Sequence, residues 1–218
     1  GEKLPAVVFL HGGWAFSAED WQDAANFAKH GFVVMTPMLR GENGNPGTYE
    51  CFFGEVDDAI AAGRFAAELP YVDDQRVYLA GHSVGAVLTT LAALKPSPFR
   101  AAAALSGYLD MRSWADMESE DRVVFNRRFP DELRLRNPLE FAAILRIPLT
   151  LYCEQDAIDL GSSQCATIAQ RNDRPCRLVV VPGDHATMVA PAIERAAKWL
   201  LQQSGETNGN PTSPPQTN

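Results

Sequence analysis

Short apolar runs alternating with helical patterns along most of the chain predict an α/β fold with a mostly parallel central sheet and helices on both faces. Three observations carry that prediction. Pro5–Leu10 and Val77–Ala80 are apolar without a break, as strands covered on both faces must be. Segments with an apolar period of three to four separate such runs, as crossovers between parallel strands require. Residues apt for chemistry stand just after the runs end: His11-Gly12-Gly13, Ser83, Asp156 and His185. In open parallel sheets that carboxyl edge is where sites form.

The first run ends at His11-Gly12-Gly13-Trp14. Ser17-Ala18-Glu19-Asp20 is a capping pattern with acids in the first turn, so a helix starts there, with Trp21, Ala25 and Ala28 at helical spacing and Gly31 ending it. Phe32–Met35 is the next strand. Residues 39–49 are dense in turn formers and read as loop. Phe53 to Leu69 is helical, with Val56, Ile60, Gly63 and Ala67 on one face, until Pro70 and Asp73-Asp74 break it. Strand Val77–Ala80 leads into the elbow described below and a mostly apolar helix leads out of it. Phe99–Leu105 is a strand ending at Ser106-Gly107.

Residues 108–136 mix six arginines with acids and show no clean period, which reads as an excursion over the sheet edge, a partial lid. Asn137-Pro138 caps a helix running to Leu145. Ile147–Cys153 is a strand, Gly161–Arg171 a helix, Arg177–Val181 a strand and Met188–Gln203 the last helix. One domain spans residues 1–204; residues 205–218 hold nothing to bury and read as a disordered tail or a linker.

Bulk properties narrow the function. The 218 residues carry a formal net charge of -8, which argues against nucleic acid, whose binders cluster Lys and Arg. No apolar run is long enough to span a membrane. No signal peptide is recognisable, so the compartment stays open between cytoplasmic and exported after loss of a leader. Cys51, Cys153, Cys165 and Cys176 are not in metal-ligand spacing and read as buried thiols; no metal or cofactor is expected.

Gly81-His82-Ser83-Val84-Gly85 fits the nucleophile-elbow pattern, in which small residues two before and two after the serine let strand and helix close up around it. Ser83, Asp156 and His185 then occur in the order nucleophile, acid, base. His185 would take the serine's proton and return it to the leaving group, and Asp156 would fix the imidazole. Glu154 and Asp159 are the carboxylates flanking Asp156. The oxyanion hole would use the amide of Val84 and that of Gly13 or Trp14. Trp14 and His82 are candidates for contact with substrate, although His82 reads first as a packing or hydrogen-bonding residue. His11 reads as a brace for the oxyanion loop, Arg40 as one half of an ion pair or a clamp for a substrate carboxylate, and Asp184 as a turn former.

These residues resemble the α/β-hydrolase superfamily, in its prolyl-oligopeptidase and dienelactone-hydrolase-like branch. The resemblance rests on Phe9–Gly13, Leu39-Arg40-Gly41, the elbow, Asn137-Pro138 followed by Ile147-Pro148-Leu149, then Asp156 and Gly183-Asp184-His185. Ala86 replaces a second glycine usual after the elbow, and Cys153 a glycine common three residues before the acid. The strand hairpin that opens the family's sheet has no counterpart before residue 5, and neither does a propeller, which favours ester over oligopeptide chemistry. The expectation is a cofactor-free serine hydrolase, carboxylesterase-like, acting on a small ester through an acyl-enzyme. A peptidase or amidase and a catalytically silent binding domain are the alternatives. The oligomeric state is open.

Overall fold

The computed structural model describes residues 1–155 and 161–203. The expected Asp156, together with Asp159 and the tail beyond residue 203, lies outside them. Six strands, β1 (Leu4–Leu10), β2 (Val33–Met35), β3 (Val72–His82), β4 (Ala102–Leu105), β5 (Leu149–Glu154) and β6 (Cys176–Val181), form one sheet in the order β2-β1-β3-β4-β5-β6, and every neighbouring pair is parallel. The helices are α1 (Ala18–Ala28), α2 (Gly54–Glu68), α3 (Val84–Ala93), α4 (Met111–Met117), α5 (Pro130–Arg136), α6 (Pro138–Phe141, continued by one 3-10 turn), α7 (Ser162–Arg171) and α8 (Val189–Gln202).

The apolar runs alternate between two cores. Ala6, Val8 and Leu10 of β1, with Val77 and Leu79 of β3, face the layer of α2, α3 and α7. Val7 and Phe9, with Tyr78 and Ala80, face α1 and α8. A strand with period-two side chains and helices on both sides has no polar face to offer, which is why these segments read as unbroken apolar sequence.

The chain leaves β1 for β2 on one side and returns through β3 on the other. Order therefore reverses between β1 and β3, and a crevice opens at their carboxyl ends, the switch point where such sheets place ligands. The loop after β1 and the serine after β3 flank that crevice.

Boundaries differ from expectation most at β3 and in the excursion, while β4 starts at Ala102, not Phe99, and the helix expected to reach Leu145 ends in a 3-10 turn. β3 begins at Val72, not after Asp73-Asp74: Val72 pairs with Leu4, a register irregularity follows, and Asp73 sits at the bend accepting from Arg76 Nε at 2.7 Å and Gln75 N at 3.0 Å. The excursion from 108 to 136 contains two seven-residue helices, α4 and α5. Helices that short give no readable period, and apart from the buried Arg136 their charge comes from side chains that are not buried.

Candidate active site

β3 ends in the tight turn that the glycine spacing demands. Ser83 has φ +54° and ψ -113°, a strained conformation for a residue with a side chain, and α3 starts at the next residue. The flanking glycines hold this turn together. A Cβ on Gly81 would collide with the Gly85 carbonyl, and one on Gly85 with the Leu10 carbonyl. The Gly85 amide instead donates to the His11 carbonyl at 3.1 Å, tying the elbow to the end of β1. Ala86 is fully buried, and its neighbour across the turn is Gly107, where a Cβ would come within 2.9 Å of the Ala86 methyl. The methyl that departs from the family pattern is thus accommodated by a glycine opposite.

Ser83 Oγ lies 3.1 Å from His185 Nε2. On the other side of the ring, His185 Nδ1 lies 2.9 Å from Glu154 Oε1 and 2.6 Å from Ser106 Oγ, and Ser106 Oγ also donates to Glu154 Oε1. Burial works against the charge of Glu154, but hydrogen bonds from Ser106, its own backbone and His185 outweigh it, so its pKa lies below the ordinary carboxylate value. β3, β4 and β5 and the loop after β6 each contribute one member of this chain. Of the expected site residues, Ser83 and His185 are in hydrogen-bond contact. The carboxylate on Nδ1 among the described residues is Glu154, the last residue of β5. Sequence reading noted Glu154 only as a neighbour of Asp156 and left Ser106 as a strand end; their signal was position at the same sheet edge.

Gly13 has φ +68°, a conformation that favours glycine, and Gly13, Trp14, Ser83, Val84 and His185 share the wall of one cavity of about 310 Å³. Val84 opens α3, so its amide has no acceptor within the helix and sits at the helix's positive end. The loop carrying Gly13 is heavily braced. His11 Nε2 bonds the buried Glu42 carboxylate at 2.9 Å, and the same carboxylate accepts from Phe16 N at 3.2 Å and from Leu39 N. Gly12 N donates to Asp20 Oδ1 at 3.2 Å, so the capping box of α1 anchors the loop as well. His11 therefore occupies the bracing place expected of it. Glu42 was not anticipated, because a glutamate inside a turn-rich segment reads as solvated.

Trp14 forms part of the cavity wall with Phe52, Trp114 and Met117, its ring 5.5 Å from Tyr49 and 6.1 Å from Trp114. His82 does not line this cavity. Its Nε2 donates to the His185 carbonyl at 3.0 Å, and the two rings stand 4.8 Å apart. Burial first, then the proximity of His185, push the His82 pKa down to about 4, so the ring is neutral and braces the loop of His185. Arg40 is an ion-pair residue: it grips Asp58 through Nε at 2.9 Å and Nη2 at 2.7 Å, and Glu50 at 3.1 Å, leaving its fork occupied. Asp184 accepts from Thr187 N at 2.8 Å and Ala186 N at 3.1 Å, the turn role expected.

None of the four cysteines is in a disulfide, and burial raises the thiols of Cys51 to about 11 and of Cys165 and Cys176 to about 12. Among the described residues no group of His, Cys, Asp and Glu is arranged to hold a metal, and no helix is long and apolar enough to cross a membrane.

A family model described as the prolyl oligopeptidase family matches residues 17–147. A Bacillus subtilis (strain 168) protein named "Uncharacterized peptidase YtmA" is 30% identical over 135 residues, which are 57% of this chain and 52% of that protein. Among solved structures, a Mycobacterium tuberculosis puromycin-hydrolyzing peptidase superposes with a TM-score of 0.79 at 23% identity, covering 96% of this chain and 36% of that one. Est1E from Butyrivibrio proteoclasticus, solved with ferulic acid bound, superposes with a TM-score of 0.72 at 18% identity, covering 94% and 92%. The chain thus spans about half the length of the curated relative it matches and about a third of the mycobacterial peptidase.

Proposed function

From the premise that this chain belongs to the prolyl oligopeptidase family of α/β-hydrolase-fold serine hydrolases, we propose that it cleaves carboxylic esters through an acyl-enzyme formed on Ser83. The observation that carries this reading is the 3.1 Å contact between Ser83 Oγ and His185 Nε2 in a ring whose Nδ1 rests on a carboxylate. A serine hydroxyl is a weak nucleophile until a base takes its proton. His185 takes it as Ser83 attacks the carbonyl carbon. The amide of Val84 and that of Gly13 or Trp14 stabilise the oxyanion. The protonated ring then gives its proton to the leaving alcohol, and a water, deprotonated by the same ring, releases the acid.

For the carboxylate that orients His185 we propose Asp156, which stands two residues past the end of β5, the place given to the acid in the family pattern. Glu154 is the second reading, favoured by its observed hydrogen bond to Nδ1. The cavity beside Ser83 is walled by Trp14, Phe52, Trp114 and Met117, a surface suited to an apolar or aromatic substrate group. Residues 108–136 act as a partial lid in this proposal, since α4 supplies Trp114 and Met117.

Peptide or amide cleavage is the second reading of the reaction, favoured by the likeness to the puromycin-hydrolyzing peptidase and to the Bacillus protein named a peptidase. Turnover of p-nitrophenyl acyl esters is compared with that of aminoacyl p-nitroanilides at equal concentration. The ester reading predicts higher kcat/KM on short acyl esters; faster anilide cleavage would replace it with the peptidase reading. Loss of neither activity in Ser83→Ala would remove Ser83 from the chemistry.

A further inference from the structure

We propose that Ser106 is a positioning residue for the base: its hydroxyl holds the His185 imidazole with the proton on Nδ1 and the lone pair of Nε2 toward Ser83. The inference rests on the hydrolase reading of Ser83 and His185 and adds a residue to it.

The proton count gives the direction. An ionised carboxylate only accepts, so the single hydroxyl proton of Ser106 goes to Glu154 Oε1. The oxygen's lone pairs then face His185 Nδ1 at 2.6 Å, and only a protonated Nδ1 can satisfy them. That proton is shared between Ser106 Oγ and Glu154 Oε1, which lies 2.9 Å away. A neutral imidazole with its hydrogen on Nδ1 has its lone pair on Nε2, the atom 3.1 Å from Ser83 Oγ. Ser106 thus supports, beside the carboxylate that orients the ring, the tautomer that can act as base. Through its second hydrogen bond it also favours the charged form of Glu154 beside the ring.

The position itself points the same way. Ser106 is 5% exposed and has φ +55°, where glycine is the residue of least strain. Its amide donates to the Tyr152 carbonyl at 2.7 Å, fixing it between β4 and β5. The site would accept a glycine backbone without change, so the side chain's contribution is the hydroxyl alone.

This makes Ser106→Gly an informative variant, with Ser106→Ala as its partner. Turnover of p-nitrophenyl acetate, its pH profile and the imidazole proton resonances are compared with wild type, alongside thermal melting. Losing a hydrogen bond to a charged group predicts kcat lower by about 10- to 100-fold, with KM within about twofold. The pH profile should shift, because the hydroxyl bonds both the imidazole and the carboxylate beside it, and the downfield Nδ1 proton signal should broaden or vanish. A Ser106 that merely packs would change melting and leave kcat per folded molecule, the pH profile and the resonance alone; that result, in either variant, overturns the proposal. A wild type that hydrolyses no ester or anilide and binds no fluorophosphonate overturns the hydrolase reading instead, and this one with it.

Discussion

Two carboxylates, Glu154 at the end of β5 and Asp156 two positions later in the sequence, differ in what supports them. Glu154 has the observed bond to His185 Nδ1; Asp156 has its place in the family pattern, since the order nucleophile, acid, base holds for either. Neutralising the true acid leaves the imidazole's tautomer and charge unsupported, a loss of about 10⁴ in kcat. Removing a companion carboxylate costs about 10- to 100-fold. We expect Asp156→Asn to show the larger loss and Glu154→Gln the smaller. The reverse order in steady-state turnover would give the acid's part to Glu154. At this scale the sequence was legible where the backbone dictates residue type. Gly81 and Gly85 are required by direct collision, and Gly13 by its positive φ. It was less legible where a side chain's partner is distant in sequence. Glu42 meets His11 across 31 residues, and Ser106 meets His185 across 79; no local pattern marks either pair.

Strand ends and the loops beyond them form the next scale. His82, the last residue of β3, donates to the carbonyl of His185 in the loop before α8, so one imidazole joins two elements of the site. Because its folded pKa is depressed to about 4 against an ordinary 6.5, the unfolded chain binds more protons between those values. The stabilisation is therefore complete above about pH 6.5 and is lost as pH falls toward 4. Thermal melting should show Tm dropping across that window in wild type and dropping less in His82→Gln; equal slopes would mean that His82 does not carry the dependence. Element positions were readable because unbroken apolar runs and the Ser17 capping box are local signals. The length of β3 was not, because Asp73 to Arg76 are polar and only the pairing between Val72 and Leu4 extends the strand that far. The excursion hid a further feature. Arg136, 6% exposed, donates to the carbonyls of Glu50 and Cys51, next to Phe52 of the cavity wall. An arginine among acids reads as surface until the fold buries it.

For the whole molecule, the parallel sheet and its reversal between β1 and β3 are what bring residues 13, 83 and 185 to one crevice. The alternation of strands and helices predicted the sheet; the strand order is a property of pairing that no single segment encodes. In the proposed reaction this crevice activates Ser83. That activation is tested most directly by incubating the native protein with a fluorophosphonate and measuring its intact mass, followed by peptide mapping. One stoichiometric adduct is expected on Ser83, slowed by orders of magnitude in His185→Ala and absent in Ser83→Ala. A folded wild-type protein that gains no adduct, or gains it at another residue, would contradict it.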